Sequence, residues 1–260
     1  MSQMPSDKAP AGDVYFFATC VVDQFFPGAG MDAITLLERQ GLRVHVPEDQ
    51  TCCGQPAYTS GFRDEARKVA AHQMTLFPND WPVVVPSGSC AGMMKHHYPT
   101  LFADDPARKA AAEQLSSRIY EFTQFLVEVL NFKPEDCGSD CTVVLHTSCS
   151  ARREMGVHLT GRQLLGDLAH VTVAQQDHES ECCGFGGTFS VKQPEISGAM
   201  VEDKVKALKA TGAERVVSAD CGCLMNILGH AAWKDEQEGR ATPSLPGEHI
   251  ASFLLRRTAK

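Results

Sequence analysis

Two short stretches constrain this chain more than anything else in it: Thr51-Cys52-Cys53-Gly54 and Glu181-Cys182-Cys183-Gly184. Adjacent cysteines make poor staples, because a disulfide between neighbours closes a strained ring and removes almost no entropy from the unfolded chain. They suit a polynuclear metal centre. Two neighbouring thiolates can reach different irons, and the glycine that follows lets the backbone turn tightly and approach inorganic sulfide. The pairs belong to a longer repeat: Cys20 and Cys149 stand 129 residues apart, Cys52 and Cys182 as well as Cys53 and Cys183 stand 130 apart, and Cys90 and Cys223 stand 133 apart. Near-equal offsets at four positions indicate an internal duplication. Aligning Val83-Val84 with Val216-Val217 sets Cys90 opposite Cys223 and Cys221 opposite Gly88, so Cys223 is the fourth ligand candidate and Cys221 a possible extra thiolate.

The hydrophobic pattern repeats in step with the cysteines. Residues 14–18 and 42–46, and Val83 to Val85, read as short strands, each ending just before a cysteine of the first set. Residues 33–41 read as a helix closed by Gly41, and Phe62, Ala66, Val69, Ala70, Met74 and Phe77 as one helical face. Leu115, Ile119, Phe122, Leu126 and Val129 have the spacing of one long amphipathic helix. The stretch 131–140, rich in Pro, Gly and charge, reads as a linker. After it the order restarts, with strands at 142–146, 171–174 and 215–218, a helix through Leu164, Leu165 and Leu168, another through Ile196, Met200, Val205 and Leu208, and a closing helix through Ile250, Phe253 and Leu254.

Alternating strands and helices imply parallel sheets, since a crossover helix returns the chain to the same sheet end. The expected fold is therefore α/β: two tandem Rossmann-like domains, 13–135 and 136–260, each a small parallel sheet with helices on both faces and its own core. Ligands of open α/β sheets bind beyond the carboxyl ends of the strands, where all eight repeated cysteines fall. Cys20, Cys52, Cys53 and Cys90 match the ligand number of one [4Fe–4S] cluster, and Cys149, Cys182, Cys183 and Cys223 that of a second, the two facing a cleft between the halves.

Composition narrows the surroundings. With 24 basic and 32 acidic residues the net charge is −8, and no basic run interleaved with aromatics is present, which disfavours nucleic acid and anionic membranes as partners. No apolar stretch of about 18 residues supports membrane insertion. The polar segment Met1 to Gly12 has no leader-like core, so a cytoplasmic location is expected, where eleven cysteines serve metal or redox chemistry more readily than disulfides.

Plainer readings compete at each site. The cysteines can be small core residues, or two tetrathiolate zinc sites, although adjacent ligands strain a mononuclear centre. Gly184, Gly186 and Gly187 lack the Lys-Ser/Thr of a phosphate loop and are read as exposing N–H groups to cluster sulfurs, and Gly54, like Gly184, as the cofactor-binding glycine that follows its cysteine pair. His96-His97 is read as a solvated surface pair and His146 as a satisfied core histidine. Cys137 and Cys141 are read as structural. Arg152, Arg153 and Lys192 flank the cysteine loops, where they can neutralise an anionic cluster or offer a fork to the carboxylate of a 2-hydroxy acid.

The stretches TCCGQPAYTSG (51–61), VPSGSC (85–90) and ECCGFGGTFSVK (181–192) resemble the lactate-utilisation protein A family among the CCG-domain iron–sulfur proteins, a group that includes the cysteine-rich component of heterodisulfide reductase and the iron–sulfur component of glycolate oxidase. The resemblance runs from about Asp13 to the last helix. It implies a cytoplasmic iron–sulfur subunit of a system oxidising L-lactate to pyruvate. Two departures accompany it: Met93 and Asn226 stand where many relatives complete Cys-x-x-Cys, and the ferredoxin-type Cys-x-x-Cys-x-x-Cys run of larger relatives is missing. The second departure implies a separate ferredoxin-type partner subunit. Two other functions remain open at this point, a thiol or disulfide reductase subunit and a zinc-binding scaffold.

Overall fold

The computed structural model describes residues 12–258, so the N-terminal segment read for a leader lies outside the described residues except for Gly12. Among the described residues eight strands form two four-stranded sheets: β1 (Asp13–Phe16), β2 (Arg43–His45), β3 (Val83–Val85) and β4 (Ile119–Glu121) in the order β2-β1-β3-β4, then β5 (Cys141–His146), β6 (Val171–Ala174), β7 (Arg215–Ser218) and β8 (Gly247–His249) in the order β6-β5-β7-β8. Every pairing is parallel. The repeat seen in the cysteines is thus a repeat of topology, and all strands of a sheet end at the same edge.

The fourth strand of each sheet departs from the sequence reading. The spacing Leu115 to Val129 predicts one long helix, but the chain forms a helix over Pro106–Ser116, then β4, then a short helix that continues as a π-helical turn over Phe125–Val129. Leu115, Ile119, Phe122 and Leu126 are all buried, which is why the spacing misleads. The break is fixed by tertiary partners. Arg118 donates to the carbonyls of Trp81 and Phe77, β4 pairs with Val83–Val85, and buried Glu121 caps the next helix by accepting from the backbone N–H groups of Thr123 and Gln124. β8 is only Gly-Glu-His, with no apolar alternation to announce it.

Consecutive residues of the second sheet serve opposite faces, as a pleated strand requires. Val143, Leu145 and Val217 join Leu164, Leu165, Ile250 and Phe253, whereas Val144 and Val216 join Val201, Val205, Leu208, Leu224 and Ile227. The helices 63–75 and 194–210 bury Ala66, Ala70, Val205 and Leu208 as expected and Val201 in addition, but Phe62 and Ile196 are exposed, and Phe77 is buried just past its helix.

The halves do not have fully separate cores. The core of the first half runs on into Ala151, Met155, Val157, Ile250 and Phe253 of the second. Gly88 makes this approach possible, since a Cβ there would collide with the Ala151 side chain. Asp220 bridges the halves by accepting from Ser87 Oγ at 2.8 Å and from Ser89 Oγ at 2.9 Å. The stretch 131–140 has no regular structure, yet it is pinned: Asp136 takes a two-pronged ion pair from Arg257 at 2.6 and 2.8 Å, with both side chains buried.

Candidate metal centre

Parallel strands deliver the cysteines to one edge per sheet. Cys20 opens the helix Cys20–Phe25 after β1, Cys52 and Cys53 follow β2, and Cys90 lies in the helix Gly88–Gly92 after β3. In the second half Cys149 opens the helix Cys149–Met155, whose N-terminus is capped by Ser148 Oγ. Cys182 and Cys183 follow β6, and Cys223 sits in the first turn of the helix Cys221–Gln237.

In the first half Cys52 hydrogen-bonds Cys20 and Cys53, and Cys53 hydrogen-bonds Cys90. In the second, Cys182 hydrogen-bonds Cys149 and Cys183, and Cys183 hydrogen-bonds Cys223. Thiol donors Cys20 and Cys53 bring Cys52 down to about 3, and Cys149 and Cys183 bring Cys182 down to about 2. The donors are pushed the other way: Cys20, Cys53, Cys149 and Cys183 are raised by their hydrogen bonds to neighbouring cysteines and by burial. At Cys223 the hydrogen bond from Cys183 pulls down, but burial and the Asp220 charge outweigh it. Each tetrad thus ionises readily at one sulfur, while the thiols that donate to that sulfur resist ionisation. Multivalent metal is the partner that lets all four ionise together, so the donor set fits an iron–sulfur cluster in each half.

The glycines divide into two pairs. Gly54 and Gly184 hold φ of +87° and +84°, and their N–H groups donate to Cys52 Sγ and Cys182 Sγ, each at 3.4 Å. Gly186 and Gly187 line the space between the halves, with a Cβ at Gly187 falling 3.7 Å from Pro56 across that space.

Both tetrads open into one cavity of about 450 Å³, whose wall also carries Cys221, Asp220, His97, Arg153 and Glu154. Cys221 is buried against Val22 and Ala29 of the first half, and burial and Asp220 push its thiol up. Of the three cationic candidates only Arg153 lines the cavity. Arg152 is paired with Glu179 at 2.6 Å, and Lys192 lies over the Phe62 ring on the surface. His97 is not a solvated residue: it stands in the cavity wall, 3.3 Å from Glu154 Oε1 and beside the Tyr58 ring, while His96 is exposed and contacts the Glu154 carbonyl. His146 is buried as read from sequence but unsatisfied, since neither ring nitrogen has a hydrogen-bond partner. Cys141 lies at the start of β5, the end away from Cys149, with its Sγ 3.6 Å from Arg257, and Cys137 is exposed.

Sequence reasoning missed Lys204 and Asp220. Lys204 is buried beside the second tetrad, its Nζ donating to the His178 carbonyl at 2.7 Å, and desolvation lowers its pKa. Its signal was a charge on the buried side of a helix, flanked by Val201, Val205 and Leu208. Asp220 carried no such signal, because its partners Ser87 and Ser89 lie far away in sequence.

The cysteine-rich CCG domain family matches this chain twice, at residues 14–95 and 143–228. Lactate utilization protein A of Shouchella clausii is 46% identical over 93% of this chain and 98% of its own length, and that of Bacillus subtilis is 43% identical over 94% and 99%. Lactate utilization protein A 1 of Bacillus mycoides is 48% identical over 83% of this chain and 88% of its own length. Among solved structures, a hypothetical protein from Helicobacter pylori matches 99% of this chain with a TM-score of 0.66 at 10% identity, the chain spanning 52% of that protein, which bears on fold alone. Two copies of the cysteine-rich domain and this degree of identity along nearly the whole chain place it in the lactate utilization protein A family.

Proposed function

We propose that the chain is an iron–sulfur electron-transfer subunit of a system that oxidises L-lactate to pyruvate. Cys20, Cys52, Cys53 and Cys90 would hold one [4Fe–4S] cluster, and Cys149, Cys182, Cys183 and Cys223 a second, within the halves 13–135 and 136–260. The observation that carries the reading is that two like thiol tetrads open into one shared cavity. Bound clusters supply one-electron acceptors, and two of them match the electron pair that a 2-hydroxy acid releases.

The chain's own residues supply the rest. The N–H groups of Gly54 and Gly184 favour negative charge at Cys52 and Cys182. Arg153 offers the cavity a guanidinium for a carboxylate, and His97, held against Glu154, can take up a proton released on oxidation. Electrons would leave to a ferredoxin-type partner subunit in the cytoplasm. No helix among the described residues is long and apolar enough to cross a membrane.

The test is purification without oxygen, then iron, zinc and acid-labile sulfide per chain, with EPR spectra before and after dithionite. About eight iron and eight sulfide support two cubane clusters. Zinc without sulfide overturns the reading in favour of a scaffold. For the substrate, Arg153→Ala is expected to depress lactate turnover in the reconstituted system while Arg152→Ala and Lys192→Ala leave it near normal. Unchanged turnover in Arg153→Ala removes Arg153 from the site.

A further inference from the structure

The two tetrads are alike in sulfur but not in what surrounds them. His146 ends β5, three residues before Cys149, and Phe17 stands three residues before Cys20 in the first half. Both side chains are fully buried. Since a hydrocarbon ring fills this position in one half, packing does not require an imidazole in the other. Yet His146 leaves both ring nitrogens without a hydrogen-bond partner, an arrangement that is unfavourable for any buried polar group. One of its ring nitrogens and the sulfurs of Cys183 and Cys223 all lie within 4.8 Å of one another. Three buried residues with ligand atoms at that spacing are close enough to hold metal.

We propose that His146 is a nitrogen ligand of the metal centre in the second half, taking the place of one of its four thiolates, so that the chain carries one all-thiolate centre and one of mixed thiolate and imidazole ligation. The inference rests on the iron–sulfur reading given above. A ring nitrogen with no hydrogen-bond partner has its lone pair free for metal. A neutral ligand beside thiolates raises the reduction potential of an iron–sulfur centre, as when histidines replace cysteines on one iron of a two-iron cluster. The second centre then becomes the lower-energy resting place for an electron arriving in the shared cavity.

The deciding measurement is pulsed EPR of the dithionite-reduced protein, purified without oxygen from cells grown with ¹⁴N- or ¹⁵N-histidine. A strongly coupled nitrogen that follows the histidine label is expected in the unaltered chain, so the result does not depend on how any variant folds. It should persist in His97→Phe, which removes the histidine of the cavity wall, and vanish in His146→Phe. The same His146→Phe protein should show one centre shifted to lower potential and the other unmoved. Full iron and sulfide with no histidine nitrogen coupling, or with only the weak coupling of a hydrogen bond, overturns the ligand while leaving the clusters in place. Loss of the coupling in His97→Phe, or its survival in His146→Phe, also overturns it. Absence of iron and sulfide overturns the electron-transfer reading itself, and this inference with it.

Discussion

Gly54 and Gly184 occupy the same place in their repeats, and alanine is expected to cost different amounts at the two. Both have φ near +85°, at +87° and +84°. Placing an L-residue in this left-handed region costs about 1–2 kcal/mol, which both variants bear. They part company in what the new methyl meets. At Gly54 the nearest atom is a flexible one, Val69 Cγ1 at 3.4 Å, which is ordinary contact distance. At Gly184 the Cβ falls 2.7 Å from the backbone oxygen of Ser197 and 3.1 Å from Met200 Cβ. A helix backbone cannot step aside as a side chain can, so overpacking adds about 1–3 kcal/mol. Gly54→Ala should therefore lose about 1–2 kcal/mol and Gly184→Ala about 2–5 kcal/mol. Urea unfolding followed by circular dichroism under nitrogen measures both against the unaltered chain, and iron per chain reports whether the second centre is lost selectively. Equal losses, or a larger loss in Gly54→Ala, would refute the argument that the carbonyl of Ser197 sets the difference.

Three further outcomes can be checked. Burial raises Glu121 to about 8 from an ordinary 4.5, so between those values the folded chain keeps a proton that the unfolded chain has released. Stability therefore falls as pH rises through that window, by about 2 kcal/mol between pH 6 and 8, and urea midpoints in Glu121→Gln should lack this slope. Arg257→Ala leaves the Asp136 carboxylate buried without its ion pair and should destabilise the chain by about 3–5 kcal/mol in the same unfolding assay. Lys204→Gln installs the residue that the first half carries at the matching position, Gln73. It should lower the potential of the second centre by roughly 40 mV, about 1 kcal/mol for removal of one nearby charge, as read by redox titration.

Much of this molecule is legible because its repeat is written in residues that have few other uses. Paired cysteines followed by glycine, recurring at nearly constant offset with strands ahead of them, indicate the duplication, the parallel sheets and the edge at which the thiols collect. The six strands with apolar runs are readable. β4 and β8 are not, because Ile119–Glu121 and Gly247–His249 acquire their conformation from the strands beside them and carry little β signal of their own. Histidines are hardest to place. His97 reads as a surface residue because nothing nearby in sequence indicates Glu154 or Tyr58, and His146 as a satisfied one because satisfaction is a property of neighbours.

The sequence by itself determined which eight thiols belong together and that they form two equivalent groups of four. It could do so because the spacing of ligands along parallel strands is a one-dimensional quantity. The sequence also led to the expectation of a cleft between the groups; only the tertiary structure decided that Arg153 lines that cavity while Arg152 is committed to Glu179, and that the second group alone has a buried imidazole and a buried ammonium beside it. Those facts depend on how two homologous halves dock. Gly88 against Ala151 and Asp220 against Ser87 and Ser89 join residues distant in the chain, and no local pattern encodes such contacts.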